Sequence, residues 1–171
     1  HYASRIRVEP SVTLPEGWSY ASALDGARPN GATVQFAEAS LDHLVDSPLF
    51  AGRHVRRITL DPDPKAPVVL NAFADSDAEL AVTPAQVTVH EALVREALAL
   101  FGGSRHYRHY DFLVAIRDPF DGIGLEHHRA TLAGHFEVFA TLDVLVRRFG
   151  HATRVQRLDL VGAHAATPAT E

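Results

Sequence analysis

Short runs of alternating apolar and polar residues fill much of the first 73 positions, a pattern typical of strands with one buried face. The runs predict strands around Ile6–Val8, Ala32–Phe36, Val55–Leu60 and Val68–Phe73. One helical turn is expected over Leu41–Asp46. The connection between the last two strands is rich in proline, which excludes helix there.

The pattern changes to a helical period after residue 82. Thr83 can cap a helix, Pro84 suits its first position, and Gln86 stands where a capping box requires Glu or Gln. Apolar residues then recur at helical spacing and predict one buried stripe, made of Val87, Val94, Leu98 and Phe101. The pair Gly102–Gly103 predicts the end of this helix.

The next apolar segment, Tyr110–Ile116, is almost continuous in strand-forming residues and predicts a strand buried on both faces. A turn at Asp118–Gly122 would lead into a returning strand, Ile123–His128, which would pair with it. Helical spacing also favours a helix within Val138–Phe149, followed by a frayed polar end at 151–171. The predicted fold class is α+β, mostly β at first and then a helix with strands.

Composition narrows the function. The 171 residues are 46% hydrophobic and 22% charged, as in ordinary globular proteins, with a net charge of −5 and no Cys. The missing Cys excludes disulfides and thiolate catalysis. The acidic balance disfavours nucleic acid as a partner, so we interpret the basic and aromatic segment His106–Tyr110 as a polar loop whose Tyr rings cover a core edge. No apolar run approaches the roughly 20 residues that span a membrane.

The 11 His residues raise the possibility of a metal site. On a strand, Glu126 and His128 would share one face and His127 the other, which gives two ligands where a catalytic zinc site usually has three. His135 could join them, although spacing does not show it. Solvated or core-edge His residues are the favoured interpretation, with a metal-binding module as a weaker alternative.

The segment Gly122–His127 suggests a different chemistry. Glycines beside an acidic residue on an edge strand would allow a ligand backbone to come close. Such an edge can accept a peptide as an added strand, and a carboxylate at its end can hold an amine. An ordinary glycine-containing hairpin is the competing interpretation.

Five segments follow one another in the order of a known family: Leu14–Trp18, Leu44–Gly52, Leu100–Gly102, Tyr110–Leu113 and Gly124–Arg129. Together they resemble the glycyl-aminopeptidase family of zinc metallopeptidases, which are gluzincin relatives of thermolysin and aminopeptidase N. Leu44–Gly52, which contains Leu-Val-Asp-Ser-Pro, is the most specific of them. The resemblance covers residues 1 to about 129.

The resemblance implies a β-rich N-terminal domain that precedes a thermolysin-like catalytic domain, often with a PDZ-like domain afterwards. Gly124, Leu125, Glu126 and His127 would form the substrate-binding edge strand beside the active site. By similarity to the Gly-x-Met-Glu-Asn strand of aminopeptidases, Glu126 would bind the free α-amino group of a peptide. Zinc would be held by a His-Glu-x-x-His helix and a later Glu.

The chain departs from this pattern after Arg129, and it contains no His-Glu-x-x-His motif. We therefore expect residues 1–78 to form the end of the N-terminal domain and 79–129 to begin the catalytic domain with a helix and an edge strand pair. Residues 130–171 would be a tail outside the family pattern, for which an out-of-frame reading of the gene is one hypothesis. The first residue is not Met, and no Met occurs in the chain, which suggests a piece of a longer protein.

The resulting expectation is a fragment of a zinc aminopeptidase that carries the peptide-aligning strand and binds no zinc by itself. Its partners would be a peptide with a free N-terminus and the remainder of the catalytic domain. The alternative is a non-catalytic, β-rich peptide-binding or interaction module. The compartment, bacterial cytoplasm or periplasm, stays open.

Overall fold

A computed structural model describes residues 2–116 and 124–134. The first part begins with a 3-10 turn at Ala3–Arg5. It continues with short strands and one short helix. In chain order the elements are β1 (Arg7–Val8), β2 (Ser11–Thr13), β3 (Ser19–Ser22), β4 (Arg28–Asn30), β5 (Thr33–Gln35), β6 (Ala39–Ser40), α1 (Leu41–Val45) and β7 (Leu49–Gly52).

The second part has longer elements and contains the main sheet. These are β8 (His54–Asp61), β9 (Val68–Ala74), a 3-10 turn at Ala78–Leu80, α2 (Pro84–Leu100), β10 (Tyr110–Ile116), β11 (Gly124–Glu126) and β12 (Ala130–Gly134). They confirm the predicted class, α+β with mostly β structure at first and then a helix and strands.

Three small antiparallel sheets make up the N-terminal part: β1 with β6, β3 with β7, and β2–β5–β4 in that order. They surround a small core in which Leu24, Val34 and Phe36 are buried. Leu44 of α1 packs against the same core, so the short helix is attached to this part of the molecule.

Helix α2 begins and ends as its sequence predicts. The Thr83 hydroxyl accepts from the Gln86 backbone N–H at 3.3 Å, and the Gln86 side chain accepts from the Thr83 backbone N–H at 2.8 Å. At the other end, Gly103 N–H donates to the Leu98 carbonyl at 2.7 Å, and Gly102 N–H to that of Ala99 at 3.1 Å. These two bonds form a Schellman motif, which requires the positive φ of 65° at Gly102.

The buried face of α2 differs from the predicted stripe. His90 and Val94 are its buried residues, and Leu93 and Leu98 pack partly against the core formed by β8, β9 and β10. Phe101 is 50% exposed, so its predicted place in the stripe is wrong. Phe101 is the C-cap residue that follows the last helical residue, Leu100, and its backbone N–H still donates to the Ala97 carbonyl at 3.1 Å.

The main sheet has the strand order β11–β12–β10–β9–β8. Strands β9 and β10 are parallel and are joined through α2, as parallel neighbours require a long crossover connection. One side of the sheet packs on α2. On the other side, Phe73 and Leu113 contact Ala21 of β3, so the β3–β7 pair covers that face.

Strand β10 is buried between these layers, as its continuous apolar sequence predicts. Phe112 to Ala115 are all buried, and Leu113 is 0% exposed. The predicted pairing of this strand with the returning strand is wrong. Strand β11 pairs with β12, and β12 lies between β11 and β10, parallel to β10. Ala130, at the start of β12, is fully buried, so this end of β12 is closely packed in the sheet.

The first five residues of the predicted non-family tail, 130–134, therefore form β12 within the main sheet. The predicted turn at 118–122 and the helix within 138–149 lie outside the described residues, as does His135. The predicted domain boundary at residue 78 falls between β9 and α2. The main sheet contains strands from both sides of this boundary, since β9 pairs with β10. The division into domains stays a prediction. Among the described helices, none has the length and apolar character to cross a membrane.

Replacing Leu113 with Ala tests the central position of β10. We expect the free energy of unfolding to fall by about 2–5 kcal/mol, because a fully buried Leu leaves a cavity in the packed core. Chemical denaturation monitored by circular dichroism measures the change. Leu100→Ala is the matched control, since that side chain is 39% exposed on a helix, and it should cost less than about 1 kcal/mol.

Candidate functional site

The predicted peptide-aligning strand, β11, is outermost in the main sheet among the described residues. Its register pairs Gly124 with Ala133, Leu125 with Leu132 and Glu126 with Thr131. The side chain of Leu125 is 52% exposed.

The direction of the β11 backbone follows from this register. His127 N–H donates to the Ala130 carbonyl at 2.7 Å, which makes these two residues a hydrogen-bonded pair. Hydrogen-bonded and non-hydrogen-bonded pairs alternate in an antiparallel ladder, so Leu125 is also bonded to β12. The backbone N–H and C=O groups of Gly124 and Glu126 consequently point away from β12, toward the outer side of the sheet.

A two-residue turn joins β11 to β12. His128 and Arg129 form the turn between the paired residues His127 and Ala130. Neither is Asn, Asp or Gly, the residues that favour the tight turns of such hairpins. The turn is instead held by contacts from distant parts of the chain. They come from the segment after α1, from the segment between β3 and β4, and from β10.

Asp46 makes two of these contacts. Its Oδ1 lies 3.1 Å from Nδ1 of His127, and its Oδ2 accepts from the backbone N–H of His128 at 2.9 Å. Asp46 follows α1 directly and belongs to the Leu-Val-Asp-Ser-Pro segment. Two segments that resemble the same protein family, and that lie about 80 residues apart, therefore touch through this carboxylate.

Asp25 holds the next residue of the turn. One oxygen accepts from Nη1 of Arg129 at 2.6 Å, and the other lies 3.2 Å from Nε2 of His109. Nδ1 of His109 is 2.7 Å from Asp111 on β10. Asn71, which is 2% exposed on β9, donates to Asp111 at 2.9 Å. Asp25, Arg129, His109, Asp111 and Asn71 thus form a partly buried charge network that links the N-terminal part to the main sheet.

The charges of this network stabilise one another. The hydrogen bond to Asp111 raises the pKa of His109, and the negative charges of Asp111 and Asp25 act in the same direction against burial. Burial alone would raise the pKa of Asp25, but the hydrogen bond and charge of Arg129, together with His109, bring it below its usual value. When His109 is protonated, two carboxylates face two cations.

The pKa values of Asp46 and the neighbouring His43 are both lowered, but the causes differ. Burial opposes ionisation of Asp46, yet the His128 N–H and the His127 ring bring its pKa below the usual value. The pKa of His43 is lowered, mainly by burial and next by the charge of Arg129. His43 therefore stays neutral near neutral pH, beside groups that are charged.

The described residues hold no group of three or more His, Asp or Glu arranged to bind a metal ion. His127 uses Nδ1 on Asp46, and the ring of His128 lies 5.2 Å from that of His106.

The sequence identified only part of this arrangement. It singled out Gly124, Leu125, Glu126 and His127. The structure places the first three on β11 and the fourth directly after it, paired with Ala130 before the turn. The partners Asp25, His109, Asp111 and Arg129 were missed as a group. The presence of Asp46 in the most specific family-like segment was the one signal available. In His106–Tyr110, Tyr107 and Tyr110 pack on the main core, as interpreted.

The N-terminal part of the chain matches a known protein family. Residues 1–53 match the Peptidase M61 N-terminal domain. This match confirms the resemblance to zinc aminopeptidases that was predicted from Leu14–Trp18 and Leu44–Gly52. The matched region includes Asp25 and Asp46, and it ends before the main sheet begins. No curated protein sequence matches the chain.

Solved structures with a similar fold were also found. An aminopeptidase N family protein from Idiomarina loihiensis aligns with a TM-score of 0.51 and 17% identity, over 86% of this chain and 26% of its own. An M1 zinc metallopeptidase from Deinococcus radiodurans aligns with a TM-score of 0.45 and 19% identity, over 72% of this chain and 29% of its own. The chain thus spans little more than a quarter of either structure.

Replacing His109 with Gln tests the charge network. Because the pKa of His109 is raised on folding, its stabilising contribution is complete below the unfolded pKa of about 6.5 and is lost as pH rises through the folded pKa. We expect the wild-type free energy of unfolding to fall over that interval and the variant to show a smaller fall. Urea denaturation at a series of pH values measures this.

His54→Gln is the control for this comparison, since His54 pairs with the exposed Asp77 outside the network. His43 has a lowered pKa and contributes with the opposite sign, but it does so in every variant and cancels in the difference. Equal pH dependence in wild type and His109→Gln would contradict the assignment.

Proposed function

We propose that this chain supplies the peptide-aligning strand, with its adjoining β-rich part, of a zinc aminopeptidase-like metallopeptidase. The observation that carries the proposal is the outward direction of the Gly124 and Glu126 backbone on the outermost described strand. An extended peptide can pair with such groups as an added strand, so that main-chain hydrogen bonds supply the affinity. The N-terminal family match supports the same proposal.

Each residue of the segment has a role in this proposal. Gly124 has no side chain to block a close approach of the peptide backbone. Glu126 binds the positively charged α-amino group of the peptide, as its resemblance to the Glu of aminopeptidases implies. Leu125 and His127 are bonded to β12 and hold the strand in place. A free N-terminus would therefore be aligned in one position along β11.

Zinc is not assigned to this chain. The M1 protein from Deinococcus radiodurans is described as a zinc metallopeptidase, which supports zinc in the related enzymes. The present sequence has no His-Glu-x-x-His motif, and its described residues have no three-ligand arrangement. Zinc and the water it activates would come from the remainder of a catalytic domain, which is the partner we propose for this chain.

A non-catalytic peptide-binding module is the second candidate function. The same outward-directed edge favours it, because strand addition requires no metal. The two candidates differ in the coding sequence that adjoins this one, where a His-Glu-x-x-His motif followed by a Glu would support the peptidase.

Replacing Glu126 with Gln tests the role of the carboxylate. We expect affinity for a short alanine peptide with a free N-terminus to fall at least about tenfold, because hydrogen bonds to charged groups contribute about 1.5–3 kcal/mol. The same peptide with an acetylated N-terminus should bind both proteins equally weakly. Isothermal titration calorimetry at neutral pH measures the four affinities.

Glu16→Gln is the control, since Glu16 is an exposed carboxylate in the turn before β3. It should bind the free peptide like the wild type. Equal binding of free and acetylated peptides by the wild type would contradict the proposed recognition of the amine.

The purified chain should also bind no stoichiometric zinc and cleave no aminoacyl reporter. The reason is that the aligning strand alone has no metal to generate a nucleophile. Elemental analysis after dialysis and a fluorogenic aminoacyl substrate measure these two properties. Cleavage that requires metal and is abolished by a chelator would overturn this prediction, and His128→Ala would then test the His-rich turn as the ligand source.

A further inference from the structure

We propose that Asp46 is a positioning residue that fixes the peptide-aligning strand by holding the turn at its end. The inference rests on the proposed function only for its consequence, peptide binding. We call the contacts of Asp46 with His127 and His128 the Asp46 clamp. Neither the family match nor the predicted site residues give Asp46 this role.

Both carboxylate oxygens of Asp46 contact consecutive residues, His127 and His128. Oδ1 lies 3.1 Å from the His127 ring, and Oδ2 accepts the His128 backbone N–H at 2.9 Å. One contact fixes a side chain and the other fixes the main chain. Together they restrict the turn more than a single surface ion pair would, because an exposed pair alone contributes little order.

The turn between β11 and β12 needs such support. His128 and Arg129 lack the turn chemistry that would favour a two-residue hairpin by itself. β11 has only three residues and, among those described, pairs on one side alone. A strand this short gains little from its own ladder, so the position of Gly124 and Glu126 depends on how firmly the turn is held.

Asp46 is itself held in place by the end of α1. It is the C-terminal cap of α1, and its backbone N–H donates to the Asp42 carbonyl at 3.1 Å. The next residue, Ser47, is 6% exposed, and its N–H donates to the Leu44 carbonyl at 3.2 Å. Leu44 packs in the N-terminal core. The carboxylate is therefore presented from a fixed support.

These contacts connect the N-terminal sheets to the outer strand of the main sheet. Asp46 holds His127 and His128, while Asp25 holds Arg129 at 2.6 Å. Arg129 also accepts from the Asp111 backbone N–H through its carbonyl at 3.2 Å, which sets the start of β12 beside β10. Asp46 contacts His127 and His128, the two residues that directly follow β11, and so its loss should act on β11 most directly.

Hydrogen exchange measured by NMR on the full chain tests the clamp without any ligand. The Leu125 and His127 amides donate into β12, so their exchange reports whether the hairpin is closed. In Asp46→Ala we expect both amides to exchange about tenfold faster, with β9 amides such as that of Leu70 unchanged. Asp46→Asn keeps one acceptor oxygen and should give an intermediate rate.

Asp77→Asn is the matched control. Asp77 Oδ1 also contacts a His ring and lies 2.8 Å from Nδ1 of His54. His54, however, lies on β8, at the opposite edge of the main sheet from β11. It should leave exchange in the β11–β12 hairpin unchanged. A general loss of stability would instead accelerate exchange across β9 as well, which separates positioning from a merely structural role.

Peptide affinity is the second readout, and it separates the two proposals. If the wild type binds a free-amine alanine peptide, Asp46→Ala should bind it at least about fivefold more weakly. If the wild type binds no peptide, the proposed function fails, while hydrogen exchange still decides the clamp. Unchanged exchange of the Leu125 and His127 amides in Asp46→Ala overturns the inference, whichever result the peptide gives.

Discussion

The contact between two N-terminal aspartates and the turn after β11 is the interaction on which the arrangement of the outer sheet depends. Asp46 holds His127 and His128, and Asp25 holds Arg129, all at hydrogen-bond distance. The turn has no favourable local chemistry, so these distant carboxylates replace what Asn or Gly would otherwise supply. The orientation of β11 is therefore a property of the whole assembly of sheets.

Charge balance explains why partly buried carboxylates are tolerated there. An unpaired charge removed from water is costly, but Asp25 meets Arg129 and His109, and Asp111 meets His109 and Asn71. Removing one of the charged members leaves its partner with uncompensated charge. The network consequently couples the protonation of a half-buried His to the contact between the N-terminal sheets and the main sheet, within reach of the strand that we propose binds peptide.

Elements governed by local chemistry were predictable from the sequence. The capping box at Thr83 and the glycine pair at Gly102 define both ends of α2, and the continuous apolar run of β10 indicates a strand covered on both faces. The pairing of strands was not predictable in the same way. The sequence suggested a hairpin between β10 and the next strand, whereas β12 inserts between them, because its pairing with β10 depends on residues brought together only in the folded sheet.

By itself, the sequence determined the class of the fold, the limits of the long helix and the resemblance that draws attention to Glu126. Residue types and spacings within a few positions are sufficient for these. The tertiary structure alone decided that Asp46, about 80 residues away, touches the end of that strand, and that Gly124 and Glu126 turn their backbone outward. The physical reason is that register and ion pairing are set by which groups meet across the folded chain, and spacing along the sequence carries no information about that meeting.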